Sequence, residues 1–355
     1  MLDRGEVGSA ATAAAMGHIV VMDDSEAQFA LTRYSQQLWR ALRPSLPPDV
    51  EYEQRGTIWV AADEEELEEV RRKKSFYDRH GVPCEVLSPA ELQQLEPNLR
   101  SGLAGGLLVP EDAVIDPPSA ARFLMDRARS GGAELLLGQP VTALEENEVV
   151  LHDGTKLLAN KIVNAAGVWA AEITPGIKIK KRKGHLAITG CYSGFVHHQL
   201  VELGYLKSAH ATVADSVAFN VQPRKSGQVL VGSSRQYGAE HKGVDEEILN
   251  RMMRRAQEYM PALGQMSVVR TWTGFRAATG DKLPLIGPLR PGSDLFLATG
   301  HEGLGITTSL ATGRLIADQV IGRASQIPVE PYWPSRMVTG QVHTSSVPPL
   351  DRSVR

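Results

Sequence analysis

Residues 295–307 read LFLATGHEGLGIT, and an amphipathic run continues from them to Ile321 before Gly322. Leu295 to Thr299 is an apolar strand. Gly300, Gly303 and Gly305 make a turn loose enough for a ligand to approach backbone N–H groups. Leu304, Leu310, Leu315, Ile316 and Val320 then fall at helical spacing, and Gly322 stops the run. Strand, glycine turn and helix in that order form an α/β unit. The first N–H groups of a helix have no partner within it and its dipole points outward, so such a turn suits an anion or an electron-rich ligand. An ordinary strand–helix crossover gives the same pattern, so the flanking segments have to decide.

Working outward, Val268–Ala277 is a strand leading into the loop before Leu295, and Val244–Met260 is a helix. Ile177–Ser234 reads mainly as strands, with Lys225-Ser226-Gly227 as a tight turn. Further back, Lys161–Ala165 is a buried strand, His152–Thr155 is a hairpin turn, and short strands fall at Glu134–Leu137, Val141–Glu145 and Val149–Leu151. Asp116 caps a helix that runs to Ser130, and Ser88-Pro89 starts another. Asp63–Arg79 reads as a solvated helix with a capping box (Asp63, Glu66) and i,i+4 pairs Glu68–Arg72 and Glu69–Lys73. Gln54–Ala61 is a strand and Ser25–Arg43 a helix.

The alternation of α/β pieces with an antiparallel sheet predicts a mixed α/β (α+β) fold woven from discontinuous segments. The expected division places 1–47, 111–176 and 278–336 in one domain and 48–110 and 177–277 in another. The tail 337–355 should drape over the surface. A length of 355 residues, 42% apolar and 22% charged, suits a globular chain of this kind. The formal net charge of −3 argues against a nucleic-acid partner. Cys84 and Cys191 are too few for a disulfide framework, so a reducing cytoplasm is expected. His18, His197, His198 and His210 lack a metal-ligand spacing. No stretch approaches membrane-spanning length.

Two motifs carry a resemblance: TGFRAATGDKLPLIG at 273–287 and GHEGLGI at 300–306. In order and spacing they resemble the FAD-dependent D-amino-acid oxidase superfamily, nearest to glycine and sarcosine oxidases and to D-amino-acid or D-hydroxyproline dehydrogenases, over Asp3 to about Arg336. The resemblance implies an incomplete Rossmann-like FAD-binding domain interleaved with an antiparallel-sheet substrate domain. Asp3, with Arg4 beside it, would hold the adenosine ribose through a carboxylate that accepts two hydrogen bonds. Ala11, Thr12, Met16, Gly17 and His18 would line the pyrophosphate and flavin. Val141 would meet the adenine through its backbone, and Ala165, Ala166 and Gly167 would turn over the cofactor ahead of Trp169. Gly300, His301, Glu302, Gly303, Leu304, Gly305, Ile306 and Thr307 would bring backbone N–H groups and a helix start to the flavin pyrimidine.

The same resemblance makes Arg276 the substrate residue, since a guanidinium fork clamps a carboxylate and orients its Cα. A structural Arg276 paired with Asp281 is the alternative. Asn220 falls where relatives place a substrate-facing aromatic and could hydrogen-bond a polar group. His185 reads equally as a packed strand residue. The implied reaction is oxidation of the C–N bond of a small amino acid to an imine. Electrons would pass to oxygen or to a carrier or subunit, in a protein expected to be oligomeric. With Asp3 third in the sequence, the glycine-rich phosphate turn that should precede it is missing. The start is therefore read as an internal methionine of a longer enzyme, the alternative being an inactive or accessory subunit.

Overall fold

The computed structural model describes residues 1–145, 147–204 and 215–337. His210 and the tail beyond Met337 lie outside them. A strap rich in Gly and Ala leads to β1 (His18–Ile19) and α1 (Glu26–Leu42). β2 (Thr57–Ala61), α2 (Glu64–Arg79), β3 (Glu85–Leu87), α3 (Pro89–Leu95), β4 (Gly105–Val109), β5 (Ala113–Val114) and α4 (Pro117–Ser130) follow. A meander of β6 (Val141–Leu144), β7 (Glu148–Leu151) and β8 (Lys156–Leu158) precedes β9 (Ile162–Asn164) and a short α5 (Ala170–Ile173). Next come β10 (Lys180–Cys191), β11 (Gln199–Glu202), β12 (Ser216–Pro223), β13 (Gln228–Arg235), α6 (Glu246–Tyr259) and β14 (Val268–Ala278). β15 (Leu285–Pro288), β16 (Leu295–Thr299) and α7 (Gly305–Val320) complete the longer elements.

One eight-stranded sheet, in the order β14-β10-β13-β12-β11-β2-β4-β3, draws all its strands from 57–109 and 180–278. It is antiparallel except where β11 lies parallel to β2. Its two faces are covered differently. Ala187, Phe219, Val221 and Val231 pack under Met252, Ala256 and Tyr259 of α6. On the other side, Trp59 and Val201 meet Val20 and Val21 from beyond the strap, together with Phe29 of α1 and Val70 and Tyr77 of α2. A smaller sheet, β15-β16-β9, lies under α7, where Ala311 and Leu315 contact Ile286 and Phe296 and also Leu31 and Tyr34 of α1. Burial of each such side chain stabilises the fold by about 1.5–3 kcal/mol, so these seams fix where strap and turn can meet.

Most expected elements form close to their anticipated bounds, but α2 differs in its chemistry. Glu68 pairs with Arg71 and Glu69 with Arg72, three residues apart rather than the four expected for each, while Lys74 pairs with Asp78 at i,i+4. Lys73 turns inward, because helical spacing puts it on the buried face with Glu66, Val70 and Tyr77. There its ammonium pairs with buried Asp23 and lies 4.6 Å from the Trp59 ring centroid. The Glu66 carboxylate accepts from the Ala62 N–H at 2.7 Å, so only the Asp63 half of the capping box forms. The strand expected at Glu134–Leu137 reduces to a parallel bridge between Leu2 and Leu136.

Removing one member of the Asp23–Lys73 pair leaves a charge stranded in the core. Asp23→Ala should therefore cost roughly 3–5 kcal/mol, and the double variant Asp23→Leu/Lys73→Met should regain most of it. Urea unfolding midpoints of the three proteins check this; equal stability of the single and double variants would refute it.

Candidate active site

β10 and β14 run antiparallel with Arg182 opposite Arg276, Gly184 opposite Gly274 and Leu186 opposite Trp272. Side chains alternate along a strand, so these six positions share one face. The two glycines keep that face open. A Cβ on Gly184 would stand 2.6 Å from Nη1 of Arg276, so the guanidinium lies directly over bare backbone. A Cβ on Gly274 would stand 2.3 Å from the Ala14 side chain, which is where the strap crosses the sheet. Arg276 Nη1 donates to the Ser234 carbonyl at 2.7 Å. The alternative partner, Asp281, is held by Arg336 at 2.6 Å.

Met16 packs on the same face against Leu186 and Leu230, and its carbonyl accepts from Gln222 Nε2 at 2.8 Å. Gly17 needs its φ of +88° and would have no room for a Cβ, which would fall 2.1 Å from the Ile115 oxygen. Asn220, opposite Gly232 on β12, is buried beside Met16. Its Oδ1 and the indole N–H of Trp272 have no hydrogen-bond partner among the described residues. A buried polar atom without a partner costs about 1–3 kcal/mol, which marks a place for a polar ligand.

The glycine turn faces this surface. The amide of Glu302 donates to the Ala277 carbonyl at 2.8 Å, tying the turn to the end of β14. His301 Nε2 lies 2.9 Å from the Thr312 hydroxyl and fixes the turn to α7. Ser25, Asp63, Asp116 and Asp245 cap α1, α2, α4 and α6 through their side chains, whereas α7 begins at Gly305 with no side-chain cap. Its leading N–H groups are thus left for a ligand. Thr307 Oγ1 donates to the His18 carbonyl at 2.7 Å, joining the start of α7 to β1 after the strap, and Trp39 Nε1 of α1 donates to the Ile306 carbonyl at 3.3 Å. Leu304 packs beside Val20 and Val21.

The remaining expected residues form a band leading away from this point. Thr299 Oγ1 donates to the Gly167 carbonyl at 2.9 Å, and the Ala166 amide donates to Asn164 Oδ1 at 3.1 Å. Ala165 links β9 to that turn, and Gly167 sits at φ +58° with open space beside it. Arg4 lies 3.8 Å over the Trp169 ring, and Asp3 Oδ1 accepts from the Gly5 amide at 2.8 Å. Val141 opens β6, opposite Leu151, and Thr12 accepts from the Ala15 amide at 3.3 Å beside exposed Ala11. His185 is set apart. It faces away from Arg276, is fully buried, and has Nδ1 2.9 Å from Ser234 Oγ while Nε2 accepts from the Asp245 amide at 3.0 Å. It is a packed strand residue.

Three residues on the site face were not anticipated. Arg182 and Arg235 both pair with the Glu302 carboxylate, and Tyr237 lies under the Arg182 guanidinium with its ring centroid 4.8 Å away. Period-two alternation from Arg182 to Ile188 was the signal that could have placed Arg182. An uncapped helix start, a glycine-lined turn and orphaned polar atoms opposite the strap fit a flat, electron-rich group such as the flavin of FAD.

Comparison with known proteins gives the same picture. The model of the family described as DAO, FAD dependent oxidoreductase, matches residues 1–319. A glycine oxidase of Geobacillus kaustophilus is 27% identical over 345 residues, covering 94% of this chain and 89% of the relative. A D-amino acid dehydrogenase of Methylobacterium radiotolerans is 28% identical over 312 residues, covering 84% of this chain and 71% of the relative. The crystal structure of the glycine oxidase from Geobacillus kaustophilus superposes with a TM-score of 0.84 at 25% identity, over 95% of this chain and 92% of that one.

Burial holds His18, His185 and His301 neutral by lowering each pKa to about 4, with the Lys183 charge adding to the effect at His185. An unfolded histidine titrates near 6.5, so these groups stabilise the fold fully above that pH. Their contribution should be lost progressively as pH falls from 6.5 to 4. Unfolding near pH 5 should take up about three protons through them, and His301→Asn should remove about one. The slope of the unfolding free energy against pH, compared between the two proteins, measures this; an unchanged slope contradicts it.

Proposed function

This chain belongs to the FAD-dependent oxidoreductase family DAO, and on that premise we propose that it oxidises the C–N bond of a small amino acid to an imine. The observation that carries the reading is Arg276, whose fork lies over Gly184 on the face that meets strap and turn. A guanidinium so placed can accept a substrate carboxylate in two parallel hydrogen bonds and fix the Cα beside it. Asn220, with its unpartnered Oδ1, would receive a polar group of the substrate.

Met16, Gly17, His18 and the residues Gly300 to Thr307 would hold the flavin, and Asp3, Arg4, Ala11, Thr12, Val141, Ala165, Ala166, Gly167 and Trp169 the rest of the FAD. The chemistry this cofactor supplies when bound is acceptance of a hydride from the substrate Cα, leaving an imine that water hydrolyses. The start of α7 would place its positive end where negative charge collects. Asp23, Lys73 and the apolar seams keep strap and sheet in register, so the donor groups are fixed before substrate arrives.

The division of labour follows the sheets. Residues 48–110 and 177–277, which supply the eight-stranded sheet, would form the substrate domain, and 1–47, 111–176 and 278–336 the FAD domain. Glycine, sarcosine, D-amino acids and D-hydroxyproline are the candidate substrates, with oxygen or an electron carrier as acceptor. No helix among the described residues is long and apolar enough to cross a membrane. The free thiols of Cys84 and Cys191 suit a reducing cytoplasm.

Anaerobic addition of the right amino acid should bleach the flavin spectrum of the FAD-loaded protein. Arg276→Ala removes two charge-assisted hydrogen bonds and should lower kcat/KM by about 10²–10³-fold. Gly184→Ala keeps the charge but displaces the fork, and should lower kcat/KM by roughly 10²-fold. A spectrum that no amino acid bleaches, or an Arg276→Ala variant with unaltered kinetics, would overturn the reading.

A further inference from the structure

From Asn220 a row of polar side chains crosses the large sheet beneath the chain that leaves the strap. Gln222 stands two residues along β12 and so shares the face of Asn220. The register of β12 with β11 pairs Leu200 with Val221 and Val201 with Asn220, which sets Gln199 beside Gln222 one step further on. Gln199 is in turn the direct partner of Thr57 on β2. Neighbouring strands lie about 4.7–4.9 Å apart, so three polar side chains follow one another across three strands. Facing them are Met16, whose carbonyl accepts from Gln222 Nε2 at 2.8 Å, His18 beside Gln222, and Asp112 beside Thr57. Asp112 closes the row, its Oδ1 accepting from Gln36 Nε2 at 2.9 Å and from the Val21 amide at 3.3 Å. Gln36 Oε1 accepts from Arg33 at 3.0 Å, and Arg33 pairs with the partly exposed Glu111 carboxylate at 2.9 Å, where the row reaches solvent.

Thr57, Gln199, Gln222 and Asp112 are at most 3% exposed. Yet Gln222 Oε1, Gln199 Oε1, Thr57 Oγ1, Asp112 Oδ2 and the buried Nε2 of His18 have no hydrogen-bond partner among the described residues. His18 lies close to Gln222 and Thr57 to Asp112, but neither pair closes into a formed hydrogen bond. Leaving a buried polar atom unpaired is costly, and internal water is what ordinarily satisfies it. Five such atoms, at about three bonds to each internal water, call for about two waters in the seam. Position alone does not demand polar residues here. Two residues further along β2 and β11 the same interface is apolar, where Trp59 and Val201 meet Val20 and Val21.

Asp112 is the acid–base group of the row. Burial pushes its carboxyl up to about 7, against the pull of the Thr57 hydroxyl, the Val21 amide and the Lys73 charge. Lys73 is itself taken by Asp23, and Glu111, the chain neighbour of Asp112, by Arg33 and Arg40. Tyr52 and Tyr77 also feel the charge of Asp112, but burial raises both above the ordinary tyrosine value, so they stay protonated near neutrality. A carboxyl that changes charge near neutrality can both take and release a proton there.

We infer that His18, Gln222, Gln199, Thr57 and Asp112 line a short file of internal water that carries protons from the site face towards Glu111, with Asp112 as the buried carrier. The inference rests on the oxidation proposed above for the source of the proton, but not for the file itself. An amino acid arrives as an ammonium ion and gives up hydride from Cα only as the neutral amine, so each turnover must shed one proton. In the step assigned to the seam an ammonium N–H bond breaks, water relays the proton, and an O–H bond forms on the Asp112 carboxylate. No electrons move in this step. Asp112 then passes the proton to solvent beside Glu111 and regains its charge.

The test begins without turnover, on the full chain loaded with FAD. A crystal structure should show about two ordered waters in contact with Gln222, Gln199 and Asp112. Infrared spectra should show a buried carboxyl band that is lost as pH rises through about 7, and Asp112→Asn should remove it. A dry seam, or a band that Asp112→Asn leaves in place, overturns the file. Turnover gives the second readout. Gln199→Leu lines the file with an apolar side chain of similar size and leaves Asn220 and Arg276 in place. Gln199→Leu and Asp112→Asn should each lower kcat about tenfold with KM held within about twofold. Both should also raise the solvent deuterium isotope effect on kcat, because proton removal then limits the rate, and Asp112→Glu should recover part of kcat. An unaltered kcat, or a lower kcat with an unchanged isotope effect, overturns the relay and leaves the oxidation standing. If no amino acid bleaches the flavin while the waters and the titrating band are found, the oxidation reading falls and the file remains.

Discussion

A guanidinium can lie flat against a β-sheet only where the neighbouring strand offers no side chain. In this protein Gly184 and Gly274, opposite each other on adjacent strands, create that opening. The first makes space for the fork of Arg276 and the second for Ala14 of the strap. Glycine in a strand normally weakens it, because it adds backbone entropy to the unfolded chain and packs nothing. Two of them at one cross-strand pair are explained by what they admit. The rest of the site follows, since once the strap is seated on the sheet, Met16 and His18 are carried to the glycine turn and the start of α7.

The charges obey a similar logic at two places. Asp23 and Lys73 are buried and meet each other, with aromatic rings around the ammonium, while half-exposed Arg72 takes the second oxygen of Asp23 at 3.0 Å. At Glu302 two buried arginines, Arg182 and Arg235, share one carboxylate beside the glycine turn. The same residue types thus anchor a helix to the core at one position and tie the glycine turn to the sheet at the other.

Much of this was legible in the sequence. The strand–turn–helix unit at residues 295–320, the helix starts at Asp116 and Ser88, and the turn at Gly227 follow local rules, because each depends on residues within one turn of each other. The placement of Arg276 came from a motif rather than from periodicity. What stayed hidden depends on contacts across the chain. Lys73 reads as part of a solvated charge run until a tertiary partner, Asp23, appears 50 positions away. Arg182 sits in a cationic stretch whose alternation is visible, but whose face is set by the pairing of β10 with β14. The absent cap on α7 is a positional fact that glycine and leucine at its start only hint at.

Distance along the chain also decides how binding and stability are linked. Thr307 meets the His18 carbonyl across 289 positions, Gln222 meets the Met16 carbonyl across 206, and Thr299 holds Gly167 across 132. Each contact joins segments distant in the chain, so none can form until the strands, the strap and α7 have docked. A ligand that touches strap, sheet and turn together binds only that docked state. It must therefore stabilise the whole fold in proportion to the logarithm of its concentration over its dissociation constant. The orphaned Asn220 and Trp272 atoms push the same way, because their desolvation is already incurred on folding and is relieved only when a ligand arrives. The face that carries Asn220 and Trp272 is thus the place where this protein gives up stability alone and regains it in complex.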